Sequence, residues 1–113
     1  MLINNMSLFC LVDGEATSQA FSVEIDPSKT VDHLKKLIKA EKPNDFHDID
    51  ADKLTLWRVS IPVVSANKHK PVALIEVDSP TELDPTDDIA DVFPEAPSKK
   101  TIHIIVEPPS QPK

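Results

Sequence analysis

A chain of 113 residues holds one domain and can hide about 65% of its unfolded surface, enough for a single core. Four phenylalanines and one tryptophan are its only aromatic residues apart from histidine, so a 40% apolar composition implies an aliphatic core. Nineteen acids against twelve bases leave a net charge of −7, which repels phosphate backbones and anionic membranes and argues against a direct nucleic-acid partner.

The amino-terminal stretch "MLINNMSLFCLVDGE" has neither a basic leader nor a long apolar core, so it is not a conventional signal peptide. No apolar run approaches the roughly 20 residues of a membrane span. Residues 1–6 read as a flexible N-terminus, and "SLFCLV" (7–12) as a buried strand. Asp13-Gly14 supplies a hairpin turn. "AFSVEI" (20–25) alternates as a strand buried on one face, by Phe21, Val23 and Ile25. Cys10, the only cysteine, is a small buried hydrophobe here and rules out an intrachain disulfide framework.

"DPSKTVDHLKKLIKAEK" is the clearest helix. Thr30 or Ser28 caps it, Asp32 favours its positive first turn, and Val31, Leu34, Leu37 and Ile38 form one apolar stripe. Lys35, Lys36 and Lys39 read as a solvated face, and Pro43 ends the helix. "NDFHDIDAD" (44–52) is an acidic turn anchored by Phe46 and Ile49. "KLTLWRVSI" (53–61) is a third strand. Prolines then crowd the chain, with two before residue 60 and nine after it. Residues 62–80 form a loop containing a possible strand at 73–77, and 80–93 contain one short helix with Ile89, Val92 and Phe93 inward. "TIHIIVEPP" (101–109) is a final strand, with Ile102, Ile104 and Val106 on one face and His103 and Ile105 on the other. No internal repeat is visible. The closing "EPPSQPK" has linker composition.

Strand, strand, helix, strand, loop and strand describe an α+β fold. It is a ubiquitin-like β-grasp with a mixed sheet of four to five strands on one main helix, and a long proline-rich loop before the last strand. "VEIDPSKTVDHLKKLI" resembles the second strand, proline turn and helix of ubiquitin. A wider resemblance runs through "LFCLVDGEATSQAFSVEID", "TVDHLKKLIKAEK", "ADKLTLWRVSIPV" and "ELDPTDDIADVFPEAPSKKTIHIIVEPP". Together these blocks resemble the amino-terminal domain of Crinkler effectors in its fungal form. "IHIIVEP" resembles the histidine-and-valine motif that closes that domain. Trp57-Arg58-Val59 departs from the oomycete translocation motif at that place, so the transport attributed to that motif is not carried over.

The resemblance implies a secreted, modular protein that acts in a host cell and often in its nucleus. Residues 7–107 would be a non-catalytic leading domain for delivery and protein contact. Residues 108–113 would begin a proline-rich linker to a C-terminal effector domain absent from these 113 residues. The alternative is a regulatory or solubilising ubiquitin-like domain acting on that C-terminal domain.

The residues themselves point to no enzyme. His33, His47, His69, His103 and Cys10 show no metal-ligand spacing. Asp84, Asp87, Asp88 and Asp91 lack the glycine and closing glutamate of a calcium loop, so they read as a solvated helix start. One glycine builds no phosphate-cradling loop. No cofactor and no small-molecule substrate are expected. Leu54 and Leu56 face the helix-packed core, which turns Thr55, Trp57 and Val59 to the opposite sheet face beside His103 and Ile105, with Phe9 or Leu11 joining them. Two arrangements are open. Thr55, Trp57, Arg58, Val59, His103 and Ile105 form an exposed patch for a host or trafficking protein, or for a second copy in a homodimer. Otherwise the 62–80 loop, with Val63, Val64, Val72 and Leu74, covers Trp57 as a second small core.

Overall fold

The computed structural model describes residues 5–109 except 45, 47, 64–69, 78 and 95–99. Val64, His47, His69, residues 1–4 and the 110–113 tail therefore lie outside the described residues. The strands are β1 (Met6–Val12), β2 (Phe21–Ile25), β3 (Thr55–Pro62), β4 (Thr81–Glu82) and β5 (Thr101–Glu107), with helices α1 (Val31–Glu41) and α2 (Ile89–Val92). They build one five-stranded sheet in the order β2-β1-β5-β3-β4. β1 and β5 pair in parallel at its centre, and every other pair is antiparallel. This α+β arrangement of a mixed sheet and one main helix is compatible with a ubiquitin-like β-grasp.

Alternation decides which face each strand offers the helix. Leu8 and Cys10 of β1, Val23 and Ile25 of β2, Leu54 and Leu56 at β3, and Ile104 and Val106 of β5 pack with Val31, Leu34 and Ile38 of α1. Phe46, Leu83, Ile89, Val92 and Phe93 close this main core. Burial pushes the Cys10 thiol far above its ordinary range, so the side chain behaves as an apolar one. Helix α1 starts at Thr30, whose hydroxyl accepts from the His33 N–H at 3.4 Å. The possible strand at 73–77 is instead a 3₁₀ turn, Leu74–Glu76.

The turns before the two helices form a short repeat that the sequence reading did not find. Asp26-Pro27-Ser28 and Asp84-Pro85-Thr86 each place an aspartate whose Oδ1 accepts from the N–H two residues on, at 2.9 and 2.8 Å. Those backbone bonds hold both carboxyls below the usual carboxylate range. The two turns then cap each other's helix. Val31 and Asp32 N–H donate to the carbonyls of Asp87 and Pro85, while Ile89 and Ala90 N–H donate to those of Lys29 and Pro27, all at 2.8–3.0 Å. Lys35, expected on a solvated face, is 6% exposed and lies close enough to the second turn for its charge to act on Asp84.

Candidate functional site

The sheet face away from α1 is not open. Leu11, Val59, Ile102 and Ile105 form a second buried cluster there, against which Ala20, Trp57, Ile61, Val63, Val72, Leu74 and Val77 pack. A strap over residues 70–77 covers the cluster and is tied to the β1–β2 turn. Gly14 N–H donates to Val72 O (2.8 Å), Val72 N–H donates to Glu15 O (3.0 Å), and Pro71 bridges Ala16. The Asp13 carboxylate accepts from Leu74 N–H at 2.6 Å. Gly14 has φ +90, which a side chain at that position would strain.

Of the six residues expected to form an exposed patch, only part is accessible, and they do not share one surface. Trp57 and Ile105 are paired across β3 and β5. Ile105 is fully buried and Val59 nearly so, beneath the strap. Trp57 and Thr55 are half-buried. The Trp57 indole N–H donates to Glu107 Oε1 at 2.9 Å, so its polar edge lies at the end of β5. Arg58 is exposed, but its guanidinium lies 5.5 Å over the ring of Phe93, a main-core residue.

His103 is the second correction. It is 5% exposed, not an outer-face surface residue. Strict alternation would put Ile102, Ile104 and Val106 on one face, yet Ile102 and Ile105 belong to the outer cluster and Ile104 and Val106 to the inner one. The cause is a bulge. Between the pairs Arg58↔Ile104 and Ile61↔Ile102, Val59 and Ser60 of β3 stand against His103 alone; β3 keeps Trp57, Val59 and Ile61 on the outer face, so the break in alternation falls on β5, between Ile102 and Ile104. Leu11 joins the outer cluster, whereas Phe9 stays 38% exposed.

Three contributors escaped the sequence reading. Asp13 was read only as a turn residue and Glu107 as the start of the tail. The legible signal for Glu107 was its place two residues beyond Ile105, on the face where a half-buried indole N–H needs an acceptor. Ile75 was read inside a strand, yet it is 93% exposed, while neighbouring Leu74 and Val77 pack down into the cluster. Ile75 borders a shallow concavity of about 370 Å³ lined also by Asp13, Leu74, Val77, Pro80 and Glu107. Among the described residues, no three or more His, Cys, Asp or Glu side chains are grouped to hold a metal ion. None of the described helices is long and apolar enough to cross a membrane.

A closed strap predicts that Trp57 emission and its quenching by acrylamide are intermediate and independent of protein concentration. Asp13→Ala removes the acceptor of Leu74 N–H, which is expected to red-shift the emission, raise quenching and lower stability by about 1–2 kcal/mol. Emission unchanged by that substitution would mean that the carboxylate does not hold the strap.

A family model described as the Crinkler effector protein N-terminal domain matches residues 6–107. This chain belongs to the Crinkler family. Crinkler effector protein 1 of the fungus Rhizophagus irregularis is 39% identical over 105 residues, which are 93% of this chain and 22% of that protein. Crinkler effector protein 108 of Phytophthora sojae is 64% identical over 52 residues, 46% of this chain and 6% of that protein. Crinkler effector protein 8 of Phytophthora infestans is 34% identical over 119 residues, 92% of this chain and 19% of that protein. The chain thus spans under a quarter of the length of each of these Crinkler relatives.

Proposed function

We propose that this Crinkler domain is a non-catalytic module that serves delivery of a secreted effector into a host cell by contacting a protein partner. The observation that carries the contact is Ile75, an isoleucine 93% exposed on a strap whose Val72, Leu74 and Val77 pack down into the cluster. Trp57 supplies the neighbouring rim, through Glu107, which both bonds its indole and lines the concavity beside Ile75. Val59 and Ile105 act as the support beneath this rim rather than as contact residues. Arg58 lies on the Phe93 side, on a different part of the surface, and His103 is buried against Phe93. With a net charge of −7, two copies repel each other, so a neutral or basic protein fits this rim better than a second copy does.

The test uses the full-length effector with Ile75→Arg in its Crinkler domain. Delivery into host cells is expected to fall while Trp57 emission and unfolding midpoint stay those of the wild type. Unchanged delivery would remove the rim from the contact. The alternative reading, in which the Crinkler domain regulates or solubilises an attached C-terminal domain, requires that domain's activity or solubility to change when residues 1–107 are deleted.

A further inference from the structure

Two carboxylates stand at the end of the central parallel strands. Val12 pairs with Val106, so Asp13 and Glu107 each lie one residue beyond the last pair, on strands about 4.8 Å apart. Asp13 N–H donates to Val106 O at 2.9 Å, which ties the two strand ends together. Both side chains are half-buried and line the concavity beside Ile75. Each is aimed by one neutral donor. Asp13 Oδ1 accepts from Leu74 N–H at 2.6 Å, and Glu107 Oε1 accepts from the Trp57 indole N–H at 2.9 Å. Among the described residues, neither carboxylate is ion-paired.

Like charges at neighbouring positions on adjacent strands destabilise a sheet, and two neutral donors leave both charges uncompensated. A cation seated in the concavity removes that cost. The other walls say which kind of cation. Leu74, Ile75, Val77 and Pro80 are apolar, so they suit a charge carried on an aliphatic stem better than a bare metal ion. A volume of about 370 Å³ lies near the lower end for ligand sites and suits a side chain rather than a cofactor. The oxygens left to bind it, Asp13 Oδ2 and Glu107 Oε2, belong to different residues. A guanidinium has five N–H donors in one rigid plane and can serve both, whereas an ammonium acts as a point charge.

We propose that this concavity is an arginine subsite, in which Asp13 and Glu107 bind a guanidinium of the protein partner while Ile75 and Pro80 cover its stem. The proposal rests on the rim reading above and names the partner's side chain. The arginine comes from another protein, because the single arginine of this chain, Arg58, lies over Phe93. Occupancy reports itself, since Glu107 also holds the Trp57 indole.

The experiment titrates the isotopically labelled 113-residue chain with a blocked pentapeptide, alanine-leucine-arginine-leucine-alanine. A second titration uses the same peptide with citrulline, a neutral isostere, in place of arginine. Nitrogen–proton spectra follow the Leu74 amide and the Trp57 indole N–H. Both are expected to shift saturably, with affinity at least about tenfold higher for the arginine peptide, the scale of one charge-assisted hydrogen bond. Glu107→Gln and Asp13→Asn keep an oxygen for the indole and for Leu74 N–H but remove the charge, and each is expected to abolish most of that preference. Equal affinity for the two peptides, or no saturable shift below about 1 mM arginine peptide, would overturn the proposal. The same shifts produced by calcium chloride alone would also overturn it, by giving the carboxylates to a metal ion. If a variant fails to fold, the two peptides compared on the wild type decide alone. The underlying reading fails separately. Delivery unchanged by Ile75→Arg removes the rim from delivery while the arginine preference stands, and a missing preference with delivery still lowered by Ile75→Arg overturns the subsite alone.

Discussion

Ile105→Ala is expected to lower the unfolding free energy by about 2–5 kcal/mol, the range for removing most of a fully enclosed aliphatic side chain from a packed core. Ile105 is fully buried and pairs directly with Trp57 across the two strands at the centre of the outer face. The strap above it is held by main-chain bonds to the β1–β2 turn, so it cannot collapse freely into the cavity left by the missing atoms. Urea unfolding followed by Trp57 emission and by far-ultraviolet circular dichroism measures the change. An open contact patch makes the opposite forecast, because truncating an exposed side chain usually shifts stability by no more than about 0.5 kcal/mol. A midpoint near that of the wild type would mean that the strap does not cover the sheet in solution. Ile105→Asp is expected to prevent folding, since it would bury a carboxylate among Leu11, Val59 and Ile102.

Phe46→Ala is the other large loss, expected at about 3–5 kcal/mol. It lies in an acidic turn, where an aromatic residue is easily taken for a surface anchor. It is nevertheless 1% exposed, the most enclosed of the four phenylalanines, and it belongs to the main core with Leu34, Ile38 and Leu54. Its N–H donates to Lys42 O and its carbonyl accepts from Ile49 N–H, so the turn that follows α1 is bonded around the ring. Guanidinium unfolding monitored by circular dichroism should show a lower midpoint with an unchanged slope. A loss below about 1 kcal/mol would place Phe46 at the edge of the core instead.

How much was legible follows from the range over which each signal acts. The α1 stripe, its Thr30 cap, the β2 alternation and the inward Leu54 and Leu56 are set by neighbours within a turn or a strand, and each stands where the pattern put it. Ile89, Val92 and Phe93 were placed inward for the same reason, and all are buried. The candidate site was less legible. Period-2 reading assumes an uninterrupted strand, and one bulge opposite His103 was enough to move Ile102 to the outer face and bury His103. Burial of Val59 and Ile105 depends on the strap, whose anchors at Asp13, Gly14 and Glu15 lie far from it along the chain.

The sequence by itself determined the four longer strands, both helices, their order, the aliphatic character of the main core and the family, because these rest on local periodicity, turn chemistry and motif, whereas the 3₁₀ turn at Leu74–Glu76 and the short strand Thr81–Glu82 do not. Only the tertiary structure decided the rest. The two Asp-Pro turns became reciprocal caps because orphan helix donors were brought to carbonyls from the other end of the chain. The outer face of the sheet became a second core, leaving Ile75 rather than Ile105 exposed, because apolar residues on β3 and β5 gain more from a cover supplied by their own chain than from water.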